Sequence, residues 1–338
     1  MKDGIGLKTA CLALIFGAGI AAATYAADKE AAGNPYIYET AHYTVRTDTS
    51  PDTARYIGEL MEKALGEYRR MTGYYAEDLP KFIINAYATK EEYGAVAKKQ
   101  GFPDDITNGL YTPVPPASIH LLYVADRGRT PAATLLHEGT HQFIDQVMGF
   151  NVPAAARNIL PPSQQKLISV PLWLNEGLAT YMEGAITADG RFEAGRVNGP
   201  RLRHLKRSIR ADEYPSLKEV MSRRYGEQFS VGDYAVAWGI VYVLAHERDP
   251  EGRPGKKGSL RRYLEACRLG FYTDPAEGFS HDFLPGGKLL EGFKRQWNAH
   301  IAERSPVVFG QIITEDGWTF EKWERRWVVS IGKLKDKR

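Results

Sequence analysis

Cysteine is scarce in this sequence, which has only Cys11 and Cys267 among its 338 residues. Cys11 lies in an N-terminal segment with the pattern of a removable export signal, so the mature chain keeps one thiol. One thiol cannot form an intramolecular disulfide, and a disulfide-stabilised scaffold is therefore excluded. The pattern around Cys267 is helical, and we interpret this thiol as a small core residue rather than a reactive one.

A strong excess of charge of one sign is also missing. The 44 Lys and Arg residues against 41 Asp and Glu residues give a net charge of +3. This balance does not indicate binding to nucleic acid or to an anionic membrane, and we expect no nucleic-acid partner. The sequence is 43% hydrophobic and 25% charged, which is typical of a globular protein and excludes the disordered and collagen-like classes.

Long hydrophobic runs are absent apart from a short one near the N-terminus. A charged start precedes an apolar run over residues 9–23, and small residues follow up to Ala27. The run is shorter than the roughly 20 residues that a membrane-spanning helix needs, and its flanks are typical of a secretory signal peptide. We therefore predict a signal peptide at residues 1–26, export to the periplasm or the medium, and no stable membrane anchor after cleavage.

Strand and helix patterns alternate in the first third of the chain and turn mainly helical from Thr130. Strands are predicted at residues 36–48, 81–89 and 118–125, and helices at 51–68, 90–100, 130–148, 171–183, 200–210, 233–247, 258–269 and 288–302. This order predicts an α+β fold, with a small N-terminal mixed sheet and helices followed by a mainly helical lobe. We place the N-terminal part at 27–129, the helical lobe at 130–305 and a C-terminal extension with a basic tail at 306–338.

Residues 137–141 read His-Glu-Gly-Thr-His inside the helix predicted from Thr130. Two histidines four residues apart project from one helix face, at a spacing that lets both imidazoles reach one tetrahedral metal ion. Glu138 between them is then placed to act as a general base on water that the metal activates. The alternative is a pair of surface histidines. It is disfavoured because the helix is largely apolar, at Leu135, Leu136, Phe143, Ile144 and Val147.

A third ligand candidate, Glu176, lies in the segment Trp-Leu-Asn-Glu-Gly-Leu-Ala at residues 173–179, with 34 residues between His141 and Glu176. A carboxylate near a helix start, beside two histidines, completes a His₂Glu site with an open fourth position. Such an open site is typical of catalytic rather than structural zinc.

The two segments together resemble the signature of the gluzincin metallopeptidases, the thermolysin and aminopeptidase N group. The longer patterns at residues 135–142 and 171–179 are most similar to a bacterial family of exported gluzincin-like proteins in the peptidase MA-like superfamily. The resemblance covers roughly residues 40–300. It implies a zinc cleft between the sheet and the helical lobe, Zn²⁺ as the cofactor, and peptide or protein substrates. The spacer is longer than in the aminopeptidases, so residues 149–170 form an insertion.

Several neighbours of the motifs are candidates for supporting the ligands. Asp145 follows His141 by four residues, where a carboxylate could accept a hydrogen bond from a ligand imidazole; the alternative is a surface charge. Glu183 lies seven residues after Glu176, where aminopeptidase N-like chains often have an acid, and the alternative is a solvated helix end. Thermolysin-like enzymes have an Asp four residues after the glutamate ligand, but this chain has Thr180 there. The group that orients His137 therefore stays open.

The resemblance also implies a tyrosine from a later helix as the hydrogen-bond donor to the oxyanion. Tyr234 is the candidate, and a packed helical aromatic is the alternative. His120 is the next candidate, although a partly exposed strand residue is the simpler interpretation. We further expect the strand at 118–124 to run beside the metal helix with a free edge that pairs with an extended peptide.

Together these features predict an exported zinc-dependent hydrolase, a peptidase, with His137, His141 and Glu176 as ligands and Glu138 as base. One alternative is a non-catalytic binding or scaffolding protein of the cell envelope that retains the fold, although Glu138 is unnecessary in a purely structural site. Another is a hydrolase of esters or non-peptide amides. The sequence does not specify a side-chain pocket for the substrate.

Overall fold

A computed structural model describes residues 35–74, 81–100, 108–113, 116–123, 130–148, 170–187, 189–246, 260–264, 302–303, 305–310 and 319–335. The predicted signal peptide and Cys267 lie outside these residues. So do nearly all of the 149–170 insertion and most of the helices predicted at 258–269 and 288–302. No helix among the described residues is long and apolar enough to cross a membrane.

The N-terminal part forms a five-stranded mixed sheet with the strand order β1-β2-β3-β5-β4. The strands are β1 (Tyr36–Glu39), β2 (Tyr43–Thr47), β3 (Phe82–Tyr87), β4 (Gly109–Thr112) and β5 (Ser118–Leu122). The three central strands are parallel, while β1 and β4 run antiparallel to their neighbours. Within the described sheet, β1 and β4 are therefore the edges.

The prediction of one strand over residues 36–48 is wrong, because the chain reverses at residues 40–42 to form a β1–β2 hairpin. Thr40 closes the turn. Its N–H donates to the Tyr43 carbonyl (2.9 Å), and its Oγ1 accepts from the Tyr43 N–H (2.9 Å). The turn contains no Gly or Pro, so the alternating pattern runs through it without a visible break. The four-residue strand β4 was not predicted either.

Two helices of the N-terminal part cover opposite faces of the sheet. Helix α1 (Pro51–Thr72) begins after Ser50, whose Oγ accepts from the Thr53 N–H (3.1 Å), and ends at Gly73 with a φ of +78°. It packs on the face that also carries Ile119 and Leu121. Helix α2 (Lys90–Lys99) packs on the other face in a small separate cluster with Tyr87 and Leu122.

The rest of the described chain is mainly helical, which confirms the α+β prediction. The helices are α3 (Thr130–Met148), α4 (Leu172–Glu183), α5 (Gly199–Ala211), α6 (Leu217–Met221), α7 (Val231–His246) and α8 (Phe320–Lys333). Helices α6 and α8 were not predicted. Trp327 and Ile331 of α8 are buried against Gly239 of α7. The predicted extension therefore contributes to the core of the helical lobe.

Helix α4 lies between α3 and α7 and is buried from Leu172 to Met182. The sequence makes this possible at Gly177, where an added Cβ would lie 2.8 Å from the carbonyl oxygen of Ala237 in α7. Close packing of α4 against α7 on one side and α3 on the other fixes the position from which Glu176 projects.

Candidate metal centre

Helix α3 positions two histidines and a glutamate above the sheet. The rings of His137 and His141 lie edge to face with their centroids 4.8 Å apart. The helix is held against α1 at Gly139, where a side chain would collide with Met61 and with the hydroxyl of Tyr68. That hydroxyl donates to the carbonyl of Leu136 (2.9 Å). The glycine of the motif thus serves close helix packing.

Glu176 of α4 faces the two histidines, as the spacing predicts. Its Oε2 lies 3.5 Å from Nε2 of His137 and 3.8 Å from Nε2 of His141. One ligand atom from each residue lies within 4.8 Å of the others. This convergence confirms the geometric prediction for the His₂Glu group.

The charges and unpaired atoms of this group fit a cation. Oε2 of Glu176 is buried and has no hydrogen-bond partner among the described residues, which costs free energy unless a cation compensates it. Each histidine uses Nδ1 for another partner, so both Nε2 atoms are directed at the carboxylate. The site is therefore compatible with a metal ion held as in H-E-x-x-H sites.

Glu138 lies beside the ligands and is only 8% exposed. Burial raises the pKa of its carboxyl group, and the charge of Glu176 raises it further, whereas His137, His141 and a hydrogen bond from the backbone N–H of Tyr111 lower it. The net direction is upward, because burial outweighs the groups that lower the pKa.

Glu183 is the group that orients His137. Its Oε1 lies 2.8 Å from Nδ1 of His137, which confirms the predicted supporting role. The other oxygen accepts from Nδ2 of Asn198 (3.2 Å) and lies 3.6 Å from Nη2 of Arg201. Burial alone would raise the pKa of Glu183, but the Arg201 charge and the hydrogen bonds outweigh it and lower the pKa. Glu183 is thus held as an anion. Thr180 does not orient the ring.

His141 is oriented by a neutral amide. Its Nδ1 lies 2.9 Å from Oδ1 of Asn175, and the same side chain hydrogen-bonds the hydroxyl of Tyr225. That hydroxyl in turn donates to the carbonyl of Val170 (3.0 Å). Since a carbonyl oxygen can only accept, Asn175 gives its NH₂ to Tyr225 and its oxygen to the imidazole N–H.

Asp145 does not support a ligand imidazole. Its carboxylate accepts a hydrogen bond from the hydroxyl of Tyr111, while the Nδ1 atoms of His137 and His141 are bonded to Glu183 and Asn175. Neither alternative for Asp145 is therefore right, because it does not support a ligand and, at 8% exposure, it is not a surface charge. The side chain joins α3 to the edge strand β4 instead.

Tyr234 of α7 lies at the metal centre and is 1% exposed. Its hydroxyl hydrogen-bonds the carboxylate of Glu176. The ring packs edge to face on Phe229, with centroids 4.8 Å apart, and Cζ of Arg201 lies 5.1 Å from the ring centroid. Tyr234 therefore lies on the predicted helix and at the candidate metal centre. Its role as an oxyanion donor stays a prediction.

His120 lies on the opposite face of the sheet from the metal centre. It is 2% exposed and bonds the hydroxyls of Tyr87 (Nδ1, 2.9 Å) and Ser118 (Nε2, 3.1 Å). Burial lowers the pKa of its imidazole from 6.5 to about 4, so the ring is neutral. His120 is therefore not an oxyanion donor, and the prediction of a partly exposed side chain is also wrong.

The edge that borders the metal helix is β4 rather than the predicted strand at 118–124. Strand β5 pairs with both β3 and β4, so that edge prediction is wrong. The Leu122 N–H donates to the Asn108 carbonyl (2.8 Å), and antiparallel pairs exchange hydrogen bonds at alternate residues. The backbone groups of Gly109 and Tyr111 therefore point to the outer edge, where the Tyr111 N–H reaches Glu138.

Four residues at or near the site escaped the sequence analysis: Tyr111, Asn175, Arg201 and Tyr225. Asn175 precedes a ligand and could have been suspected from that position. The sequence signal for Arg201 is weaker. It lies four residues before the buried Leu205 and therefore shares the inner face of α5. Nothing in the local patterns of Tyr111 and Tyr225 indicates the metal centre.

Residues 131–252 match a family model described as "Protein of unknown function (DUF1570)". This range extends from α3 past the end of α7 and so contains both histidines, Glu138, Glu176 and the groups that support them. A search of curated proteins found no match.

Proposed function

We propose that this protein is an exported zinc-dependent hydrolase that cleaves peptide bonds, with Glu138 as the general base. The observation that carries the proposal is the convergence of the Nε2 atoms of His137 and His141 with an unpaired carboxylate oxygen of Glu176. The buried carboxyl group of Glu138 lies beside these three groups. A structural metal site needs the first three groups but has no use for Glu138. The signal-peptide pattern supports export.

The charges at the centre favour a dication. Glu138 and Glu176 are buried carboxylates and Glu183 is half-buried, while Arg201 is a buried cation whose Nη2 lies 3.6 Å from Glu183. With Glu138 ionised, one further double positive charge balances this set, and unbalanced buried charge is costly. Two imidazoles and one carboxylate are a zinc-type ligand set, with His137, His141 and Glu176 as its members.

A zinc ion bound there would lower the pKa of water and polarise a carbonyl group. Glu138 then accepts the proton of the attacking water and later delivers it to the leaving amine. The hydroxyl of Tyr234, which already lies at Glu176, is the candidate donor to the oxygen that becomes negative.

Strand β4 supports peptides as the substrate class. All four residues of β4 are buried, so an extended chain would add to the outward carbonyl groups of Gly109 and Tyr111 as a further strand after displacing the groups that cover them. Because the Tyr111 N–H reaches Glu138, a chain paired there would place one of its peptide bonds close to the base. Esters and non-peptide amides would not use this edge.

The test combines metal analysis with a broad peptide-library cleavage assay on the wild type and on Glu138→Gln. We expect about one zinc per chain in both proteins, and a loss of turnover of about 10²–10⁴-fold in the variant, because the amide keeps the shape but cannot accept a proton. His137→Ala should lose both metal and activity. Wild-type protein that holds zinc but cleaves only esters would favour the second hydrolase class. No cleavage of any substrate would favour the envelope-binding protein.

A further inference from the structure

Arg201 is a buried cation that lies between the supports of two metal ligands. Its side chain is 10% exposed, and Nη2 lies 3.6 Å from Glu183. Its guanidinium carbon also lies 5.1 Å from the ring centroid of Tyr234. Glu183 orients His137, and Tyr234 contacts Glu176. One side chain thus touches the partners of two ligands that come from different helices.

The start of α5 is built to hold Arg201 in this place. Oδ1 of Asn198 accepts from the Arg201 N–H (3.3 Å) and caps the helix. Nδ2 of the same residue donates to the Thr180 carbonyl (3.0 Å) and to Glu183 (3.2 Å). The first turn of α5 is therefore fixed to the last turns of α4, which carries Glu176 and Glu183.

We propose that Arg201 is a positioning residue of the metal centre: it fixes the Glu183 carboxylate that orients His137 and the Tyr234 ring whose hydroxyl reaches Glu176. The inference rests on the metal site of the proposed function and adds a residue to it. A guanidinium suits this task because its planar fork can face a carboxylate while its flat surface covers an aromatic ring. A lysine ammonium supplies the charge without that geometry.

A simpler role for Arg201 is to neutralise buried negative charge, and the two roles predict opposite results. A cation repels a metal ion, so if charge were all that mattered, Arg201→Met would bind metal more tightly and Arg201→Lys would behave as the wild type. If Arg201 positions the ligands, both variants bind metal more weakly. Loss of a group that orients a ligand typically lowers metal affinity about 10–100-fold.

The experiment uses Co²⁺ as the probe, with affinity measured by chelator competition and ligand geometry by the visible absorption spectrum. We expect Arg201→Lys and Arg201→Met to weaken Co²⁺ binding by about 10–100-fold and to change the spectrum. Arg203 lies two residues after Arg201 on the same helix and is exposed. Arg203→Lys and Arg203→Met are therefore the matched controls and should behave as the wild type. An unchanged spectrum and affinity in Arg201→Lys would overturn the inference while leaving the metal site intact. Wild-type protein that binds no metal would overturn both.

A double-mutant cycle tests whether Arg201 acts through Glu183. Glu183→Gln should clearly weaken Co²⁺ binding when it is made in the wild type. In the Arg201→Lys background the same substitution should weaken binding by less than about twofold, because the effects of substitutions within one network are not additive. Independent, multiplicative effects would contradict the inference. If Arg201→Lys does not fold, Tyr234→Leu against Tyr234→Phe replaces it. Removing the ring should disturb the Co²⁺ spectrum more than removing the hydroxyl alone, and equal spectra would overturn the proposal.

Discussion

Oε1 of Glu183 lies 2.8 Å from Nδ1 of His137, whereas the corresponding nitrogen of His141 faces the amide oxygen of Asn175 at 2.9 Å. The two ligands are therefore supported unequally, one by an anion and the other by a neutral group. A hydrogen bond to a carboxylate is roughly twice as strong as one between neutral groups. It also makes the imidazole a better electron donor to a metal.

The unequal support predicts unequal losses of metal affinity. Glu183→Ala should weaken zinc binding by about 10–100-fold, and Asn175→Ala should fall near the lower end of that range. Glu193→Ala is the control, because Glu193 is exposed and pairs only with Arg196 in the described structure. Chelator competition measures all three. Equal losses at Glu183 and Asn175 would show that the charge of the partner does not matter here.

His120 predicts a loss of stability in mild acid that has nothing to do with the metal. Its pKa is lowered from 6.5 to about 4 by burial. Between these pH values the unfolded chain binds a proton that the folded chain does not, so the free energy of unfolding falls as the pH falls. The full difference amounts to about 3 kcal/mol. Above pH 6.5 the contribution is constant.

Urea denaturation of metal-free protein at pH 7, 5.5 and 4.5 measures this effect. His120→Gln removes the titrating group, so the variant should lose less stability than the wild type between pH 7 and pH 4.5. Parallel pH profiles for the two proteins would mean that other groups cause the acid sensitivity.

The convergence of the His₂Glu group could be predicted because helix geometry converts spacing into position. His137 and His141 share a face in any straight helix, and apolar neighbours place that face inside. The supports of the ligands depend on long-range packing instead. Arg201 belongs to a helix with several basic residues, and only the docking of α5 on α7 determines which of them turns inward. His120 shows the same limit for strands, since the side of the sheet it faces depends on the register of β5.

The close contact at Gly177 predicts that this position must remain glycine. Two alanine substitutions can distinguish this packing requirement from the general effect of replacing a helical glycine. A Cβ there would lie 2.8 Å from the Ala237 carbonyl oxygen and 2.8 Å from Cγ2 of Val241. A backbone oxygen cannot move aside cheaply, so α4 and α7 must part, at a cost of about 1–3 kcal/mol. This exceeds the gain of up to about 1 kcal/mol from replacing a helical glycine by alanine.

Gly66 of α1 is the matched control, because an added Cβ there meets nothing within 4 Å. Gly66→Ala should therefore stabilise the protein by up to about 1 kcal/mol. Gly177→Ala should destabilise it and weaken zinc binding, since Glu176 moves with α4. Thermal or urea unfolding and chelator competition give both values. Stabilisation by Gly177→Ala would show that α4 can shift without strain.

The hydroxyl group of Tyr234 has two candidate roles at the site. In the structure the hydroxyl bonds the Glu176 carboxylate, so it either holds the ligand or serves as the donor to the oxygen that becomes negative when water attacks a peptide carbonyl. Catalytic contacts often form fully only with substrate present, and the contact with Glu176 is thus compatible with both tasks.

Tyr234→Phe separates them, because phenylalanine keeps the ring against Phe229 and Arg201 and removes only the hydroxyl. We expect kcat to fall by about 10²–10³-fold, as for other oxyanion donors, while KM and zinc content change little. Tyr225→Phe, which removes another phenol near the site and its bond to Val170, is the comparison and should affect kcat less. If Tyr234→Phe instead loses zinc while the turnover per bound zinc stays at the wild-type value, Tyr234 holds Glu176 in place. The oxyanion donor must then come from another residue, with Tyr225 the next to test because its hydroxyl already bonds the Asn175 side chain beside Glu176.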